Sequence, residues 1–309
     1  ERRATNVFEN RVFRQEVREV DERAEGLPYA WLKGGEFLRR SAYPKGLRRL
    51  SDLDLVLRKE DLPVWDEIFG ELGYRTHRDP KWVPNAGRGS AVSSTFYTKE
   101  TDRQALLIDV HWHLVDYPAR RACGRWDFDM APVFEGIEDH ALAPEHRVLY
   151  LIDHAFTHEF SYWKFVTDLA LVLENEELDD EKLRKEAQRT NFGDSLERGK
   201  AFLWKFFEGD PPRVYEEFLE GDERLSGARG ESFVEPALDL SLPEGAYLTE
   251  SLRCLPSLRG KLCFLGFVLF PPVSAVPKIS SETGFLEAAW LYVRRLGRVL
   301  GKGPGIVSS

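Results

Sequence analysis

The strictest alternation of polar and apolar positions in the chain is Ser51-Asp52-Leu53-Asp54-Leu55-Val56-Leu57. A period of two is that of a β-strand, whose successive side chains point to opposite faces. Leu53, Leu55 and Leu57 then share a core-facing side, and Asp52 and Asp54 share the other. A second stretch, 105–114, opens strongly apolar and then alternates. Asp109, His111 and His113 fall on one side of it, and Ile108, Val110, Trp112 and Leu114 on the other. Further strands are predicted at 29–32, 74–77 and 91–98. Helical spacing of Val7, Phe8, Val12, Phe13, Val17 and Val20 predicts a lead-in helix over 5–25, stopped by Gly26. Another is predicted over 61–73, with Asp61 as its cap and Pro63 in its first turn. After about residue 140 the pattern becomes one of long helices, at 144–158, 161–175, 179–190, 193–208, 211–220, 249–270 and 284–300. The expected fold class is α+β. A small mixed β-sheet with helices on one side occupies 1–140, and a mainly α-helical C-terminal domain occupies 141–309.

The polar face of the first strand raises a chemical question. Two carboxylates one repeat apart repel each other unless a positive charge lies between them, and a divalent cation bound through oxygen supplies one. The plainer alternative is a solvated edge strand with two surface aspartates. Asp109 follows four apolar residues and is costly to bury without a partner. If its strand lies beside the first, it becomes a third carboxylate, and such a set suits Mg²⁺ or Mn²⁺. His111 and His113 also raise zinc, but zinc favours N/S ligands and no cysteine is near in sequence. Upstream, Tyr29-Ala30-Trp31-Leu32 runs into Lys33-Gly34-Gly35 and then Glu36-Phe37-Leu38-Arg39-Arg40. This reads as strand, tight glycine turn, helix, an arrangement that lets backbone approach a phosphate. Arg39, Arg40, Lys45, Arg48 and Arg49 form a basic cluster between the glycines and the aspartate strand.

Composition narrows the classes. The chain has 309 residues, 42% hydrophobic and 31% charged, which fits a soluble globular protein with a sizeable core. A net charge of −9 disfavours broad binding to nucleic acid, whose affinity comes from phosphate neutralisation. A mononucleotide needs only a local positive pocket, which the basic cluster can provide. Cys123, Cys254 and Cys263 lack metal-type spacing and suit free thiols in a reducing compartment, so the expected location is cytoplasmic. The longest apolar run, 262–270, is too short for a membrane span, which takes about 20 residues. There is no G-x-S-x-G, P-loop or paired C-x-x-C motif to support a hydrolase, ATPase or redox reading.

Taken together, Leu32-Lys33-Gly34-Gly35, Tyr43-Pro44, Arg48, Ser51-Asp52-Leu53-Asp54-Leu55 and Asp109-Val110-His111-Trp112 resemble the polymerase-β-type nucleotidyltransferase superfamily. Within it, the chain is most similar to the bacterial group of uncharacterised nucleotidyltransferases. The similarity continues through Ala143 to Leu149, His154, His158, Trp163, Asp168-Leu169 and Leu269-Phe270-Pro271-Pro272. It is weakest from about 209 to 250. One departure is Gly35-Glu36, where the superfamily often has Gly-Ser. The resemblance implies transfer of an NMP from an NTP to a hydroxyl of an unidentified small-molecule, peptide or protein acceptor. It implies two Mg²⁺ ions, with Mn²⁺ as a substitute, held by Asp52, Asp54 and Asp109. Gly34 and Gly35 would cradle phosphates, and Lys33, Arg48 and Ser51 would contact them. The alternative from another class is a nucleotide-binding regulatory or antitoxin-like protein without turnover, and a third is a structural cation site.

Other residues are weighed beside these. His154 and His158 are four apart on one predicted helix, without the glutamate of a zinc-protease motif. Packing or substrate contact suits them better, as it does His111. Asp168 lies amid apolar residues and either pairs with Lys164 or faces a cleft, and pairing is preferred, with Lys164 reaching a phosphate. Asp127 and Asp129 are taken as surface residues. The stretch over 80–90 is loop-like with Gly87 to Ser90 as a candidate flap, and the region over 221–247 is irregular. The basic C-terminal residues Arg294, Arg295, Arg298 and Lys302 read as a solvated helix face.

Overall fold

The computed structural model describes residues 2–76, 94–101, 105–114, 130–157, 164–189 and 193–219. The predicted flap, His158, Asp127, Asp129, the three cysteines, the irregular region and both C-terminal helices lie outside the described residues. Helix α1 spans Arg2–Arg23, followed by strand β1 (Tyr29–Leu32), helix α2 (Lys33–Arg39) and strand β2 (Leu53–Leu57). A short 3₁₀ turn leads to α3 (Leu62–Glu71), and β3 (Arg75–Thr76), β4 (Ser94–Glu100) and β5 (Ala105–His111) complete the sheet. Then come α4 (Ala131–Glu135), α5 (Pro144–Thr157), α6 (Lys164–Asn175), α7 (Asp180–Arg189), α8 (Gly193–Phe206) and α9 (Arg213–Leu219).

Among the described residues the sheet has five strands in the order β1-β2-β5-β4-β3. Only β2 and β5 pair in parallel; the other neighbours are antiparallel. Alternation sorts the side chains as expected. Tyr29, Trp31, Leu53, Leu55, Leu57, Leu106, Ile108 and Val110 are buried together against Phe13, Val17 and Val20 of α1 and Trp65 and Phe69 of α3. Burying a side chain of this size contributes roughly 1.5–3 kcal/mol. The expectation of helices on one side fails. Ala30, Leu32 and Val56, on the opposite face, are covered by Val133 and Phe134 of α4 and Tyr150 of α5. Both faces of the sheet carry apolar side chains at β1 and β2, so both need cover. The strand containing Asp109 also ends earlier than its apolar pattern suggests. Residues 112–114 are bends, and Leu114 joins the Val56 cluster instead of continuing beyond Val110. Asp61 precedes α3 but makes no side-chain cap, because its backbone already lies in the helical region.

The five later helices fall close to their predicted limits. Phe165, Leu169 and Val172 of α6 pack with Val148 and Ile152 of α5, Leu183 of α7 and Leu203 of α8. Phe37 of α2 enters the same cluster, so a helix attached to the sheet contributes to the helical core. Charges fix that junction as well. Glu36 is buried with its Oε1 2.9 Å from Arg147 Nε of α5, and Arg147 Nη1 lies 3.0 Å from Glu176 Oε1. Arg40 pairs with Glu176 too. The residue that departs from the usual Gly-Ser thus points to the helical half as a structural charge.

Burial pushes the Glu36 carboxyl up to about 7 from its ordinary 4.5, with Arg147 and then Arg40 acting in opposition. A carboxyl with a raised folded pKa adds stability that is complete below the unfolded value and lost as pH rises through the folded one. The Glu36 contribution is therefore present below 4.5 and absent above about 7. Melting temperatures of Glu36→Gln and the parent should diverge in favour of the variant over that interval. A difference that stays constant with pH would show that Glu36 titrates alike in the folded and unfolded chain.

Candidate metal centre

The parallel pairing of β2 and β5 sets Asp54 directly opposite Asp109 and Val56 opposite His111. Both aspartates and His111 project from the same face, because that face is the alternate one to Leu55 and Val110. His111 Nε2 lies 3.3 Å from Asp109 Oδ2 and 3.5 Å from Asp54 Oδ1. One ligand atom from each of the three residues falls within 4.8 Å of the others. Asp54 and His111 are buried, and Asp109 is partly so.

Lys33 completes the cluster. Leu32 pairs with Asp54 across β1 and β2, so the next residue leaves β1 beside that carboxylate. Lys33 Nζ sits 2.7 Å from Asp54 Oδ1 and 5.6 Å from the centre of the Tyr150 ring. Burial alone would raise the Asp54 pKa. Lys33 and then His111 outweigh it and hold the carboxyl well below the usual carboxylate range. Asp109 Oδ1 is buried without a hydrogen-bond partner among the described residues. An unpaired buried carboxylate oxygen is costly, and a cation satisfies it. The two carboxylates and one imidazole therefore fit a divalent metal ion.

Several predicted site residues occupy other positions. Asp52 precedes β2 and stays outside the three-residue group; its Oδ1 accepts a 2.9 Å hydrogen bond from Ser51 Oγ. His111, weighed as a zinc ligand and then preferred as a substrate contact, takes the third place. Its position on the Asp109 side was legible from the alternation alone. The tight glycine turn is corrected: the chain turns at Lys33, which has a φ of +48°, and α2 has already begun when Gly34 and Gly35 are reached. The glycines answer a need for space. A Cβ on Gly34 would lie 2.3 Å from Leu50 Cδ2 and 2.4 Å from Arg48 Nη1. One on Gly35 would lie 3.1 Å from the Trp31 ring and 3.5 Å from the Asp54 carbonyl oxygen.

The basic cluster is mostly committed to ion pairs. Arg48 donates from Nε and Nη2 to the two Asp168 oxygens at 2.9 and 2.7 Å, and Tyr43 donates its hydroxyl to the same carboxylate at 2.5 Å. The preferred Asp168–Lys164 pairing is thus replaced by Asp168–Arg48, which suits a planar fork facing a buried carboxylate. Arg39 pairs with Asp21 and Asp139, Arg40 with Glu176, and Arg49 with Glu9. Lys164 opens α6. Partial burial, then Arg48, lowers its pKa, while Asp52 and Asp168 act in the other direction. His154 stacks on Tyr150 of the same helix, with ring centres 6.0 Å apart. Signals for the Arg48–Asp168 and Glu36–Arg147 pairs were absent from local sequence, since each joins residues more than a hundred positions apart.

The fold and the cluster together describe an α+β protein with a candidate cation site on adjacent central strands. A family model described as "uncharacterised nucleotidyltransferase" matches residues 1–208, and the chain belongs to that family. Comparison with curated proteins and with solved structures gives no significant match. No helix among the described residues is long and apolar enough to cross a membrane.

Two outcomes follow from this geometry. Gly34→Ala should destabilise the protein by about 1–3 kcal/mol, the usual cost of overpacking, and a chemical denaturation midpoint would report it. Mn²⁺ titration followed by electron paramagnetic resonance should show a bound ion in the parent and a loss of at least about tenfold in affinity in Asp109→Asn or His111→Ala. Unchanged binding in both variants would remove the cluster as the metal centre.

Proposed function

We propose that the chain is a nucleotidyltransferase that moves an NMP from an NTP to an acceptor hydroxyl. The observation that carries this reading is the Asp54–Asp109–His111 group beside Lys33, in a chain of the nucleotidyltransferase family. Asp54, Asp109 and His111 would hold Mg²⁺ or Mn²⁺, with Asp52 at the edge of the group as a ligand to a second ion. Bound there, the cations would neutralise the triphosphate and favour ionisation of the acceptor.

The protein groups divide the remaining work. Lys33 is the counter-charge of Asp54 and stands where a phosphate oxygen can replace that carboxylate as its partner. The backbone N–H groups of Gly34 and Gly35 follow directly and would contact the β- and γ-phosphates. The acceptor oxygen attacks the α-phosphorus, the bond to the β-phosphate breaks, and pyrophosphate leaves. The Asp109 carboxylate receives the acceptor proton. Ser51 orients Asp52 through its hydroxyl. Arg48, whose guanidinium is held by Asp168, acts as a positioning residue rather than as a phosphate ligand. His154 and Lys164 are assigned to the side from which substrate enters. The net charge of −9 favours a small molecule, a peptide or a protein over nucleic acid as the acceptor.

Calorimetry with ATP, GTP, CTP and UTP in Mg²⁺ should identify a bound nucleotide. Pyrophosphate release should then be followed against a panel of hydroxylated metabolites, peptides and proteins. Turnover in the parent should fall by at least about 100-fold in Asp54→Asn, with the melting curve still cooperative. Nucleotide binding without turnover against any acceptor would instead support a regulatory, antitoxin-like role. Full turnover in Asp54→Asn would refute the mechanism.

A further inference from the structure

A pocket separate from the Asp54 group lies between α1 and the segment 41–50. Its charged lining consists of Arg11, Arg14, Lys45 and Arg48, with no carboxylate among its lining residues. Arg48 is neutralised by Asp168. Arg11, Arg14 and Lys45 make no ion pair among the described residues, although the chain as a whole carries a net charge of −9. Three uncompensated cations around one cavity repel one another, and an anion between them relieves that repulsion.

The walls are held in place. Arg3 Nε donates to the Lys45 carbonyl at 3.2 Å, Asn6 Nδ2 to that of Gly46 at 3.2 Å, and Asn10 Nδ2 to that of Arg48 at 2.9 Å. Gly46 has a φ of +77°, and a Cβ there would lie 2.5 Å from Val7 Cγ2, so the segment sits tightly on α1. One donor of this wall, Arg14 Nε, is buried without a hydrogen-bond partner among the described residues. Buried polar atoms are normally satisfied, and an oxyanion would supply an acceptor to the arginine. The cavity volume of about 100 Å³ suits a phosphate-sized group and is small for a nucleotide. Its inner apolar surface includes Phe37 and Leu50.

We infer that this pocket binds a small oxyanion, either inorganic phosphate or the phosphate of a monoester, on Arg11, Arg14 and Lys45. The pocket borders the proposed nucleotide site, sharing Gly34 and Arg48 with it, but its anion ligands Arg11, Arg14 and Lys45 are none of the metal-centre side chains. Isothermal titration of the full chain with sodium phosphate, at ionic strength matched with chloride, tests it. Saturable binding is expected, weakened at least about tenfold in Arg14→Gln and in Lys45→Gln. Lys45 is exposed, so that variant keeps the test valid if Arg14→Gln does not fold. Asp109→Asn in Mg²⁺ should leave the affinity unchanged. Phenyl phosphate binding more tightly than phosphate would identify a monoester, and binding no tighter would identify the free anion. The inference is overturned if no saturable binding occurs, if a folded Arg14→Gln or Lys45→Gln keeps the parent affinity, or if Asp109→Asn abolishes binding.

Discussion

Two carboxylates on adjacent central strands are the constraint on which this structure turns. Parallel pairing of β2 with β5 places Asp54 and Asp109 side by side on a face otherwise covered by apolar side chains. Like charges at such spacing, removed from water, oppose folding unless they are compensated. Lys33 compensates Asp54, and His111 reaches both carboxylates. The backbone at Lys33 takes a left-handed conformation to leave β1 at that point. For a residue other than glycine this costs on the order of 1 kcal/mol or more. The strain is local, and it coincides with the residue whose ammonium makes the carboxylate pair tolerable.

A second set of charges attaches the helical segment to the sheet. Arg48 with Asp168, and Glu36 with Arg147, each span the two parts and are largely buried. Removing Asp168 would leave the Arg48 guanidinium buried without its bidentate partner, a larger cost than the stability the intact pair adds. The effect of the pairs is therefore on specificity of docking. The observed placement of α5 and α6 against α2 and the segment that follows it pairs all four groups. The same placement brings Tyr150 over Lys33 and Lys164 into electrostatic contact with Asp52. The geometry of the site is thus coupled to residues well outside it.

Much of the fold was legible because burial is written locally. The period of two in 53–57 and 105–111 identified both central strands, their core sides and the shared face of Asp54, Asp109 and His111. The stripe Phe165, Leu169, Val172 identified the buried side of α6. What escaped reading depended on three-dimensional neighbours. Nothing beside Gly34 in sequence shows that Arg48 and Leu50 will occupy the space of its missing side chain. Nor does the basic run from Arg39 to Arg49 show that acids from α1 and from the distant helices will claim most of it. A charge cluster in sequence resembled a ligand pocket, yet most of it became structural ion pairs. Asp52 illustrates a subtler limit: the alternation is right, but the strand begins at Leu53, two residues after the pattern starts, and the first aspartate remains outside the group.

The strand order also has a consequence for biosynthesis. Among the described residues the last strand in sequence, β5, is the middle one in space, between β2 and β4. A chain emerging from the ribosome can pair β1 with β2, and β3 with β4, but those two pieces share no edge until β5 arrives. Each presents an open hydrogen-bonding border in the meantime, the kind of surface that invites association with other chains. Insertion of a single segment then closes the sheet, buries Ile108 and Val110, and creates the cation site in one event. Metal affinity should therefore be gained with the final strand as an all-or-none property of the nascent chain, not accumulated strand by strand.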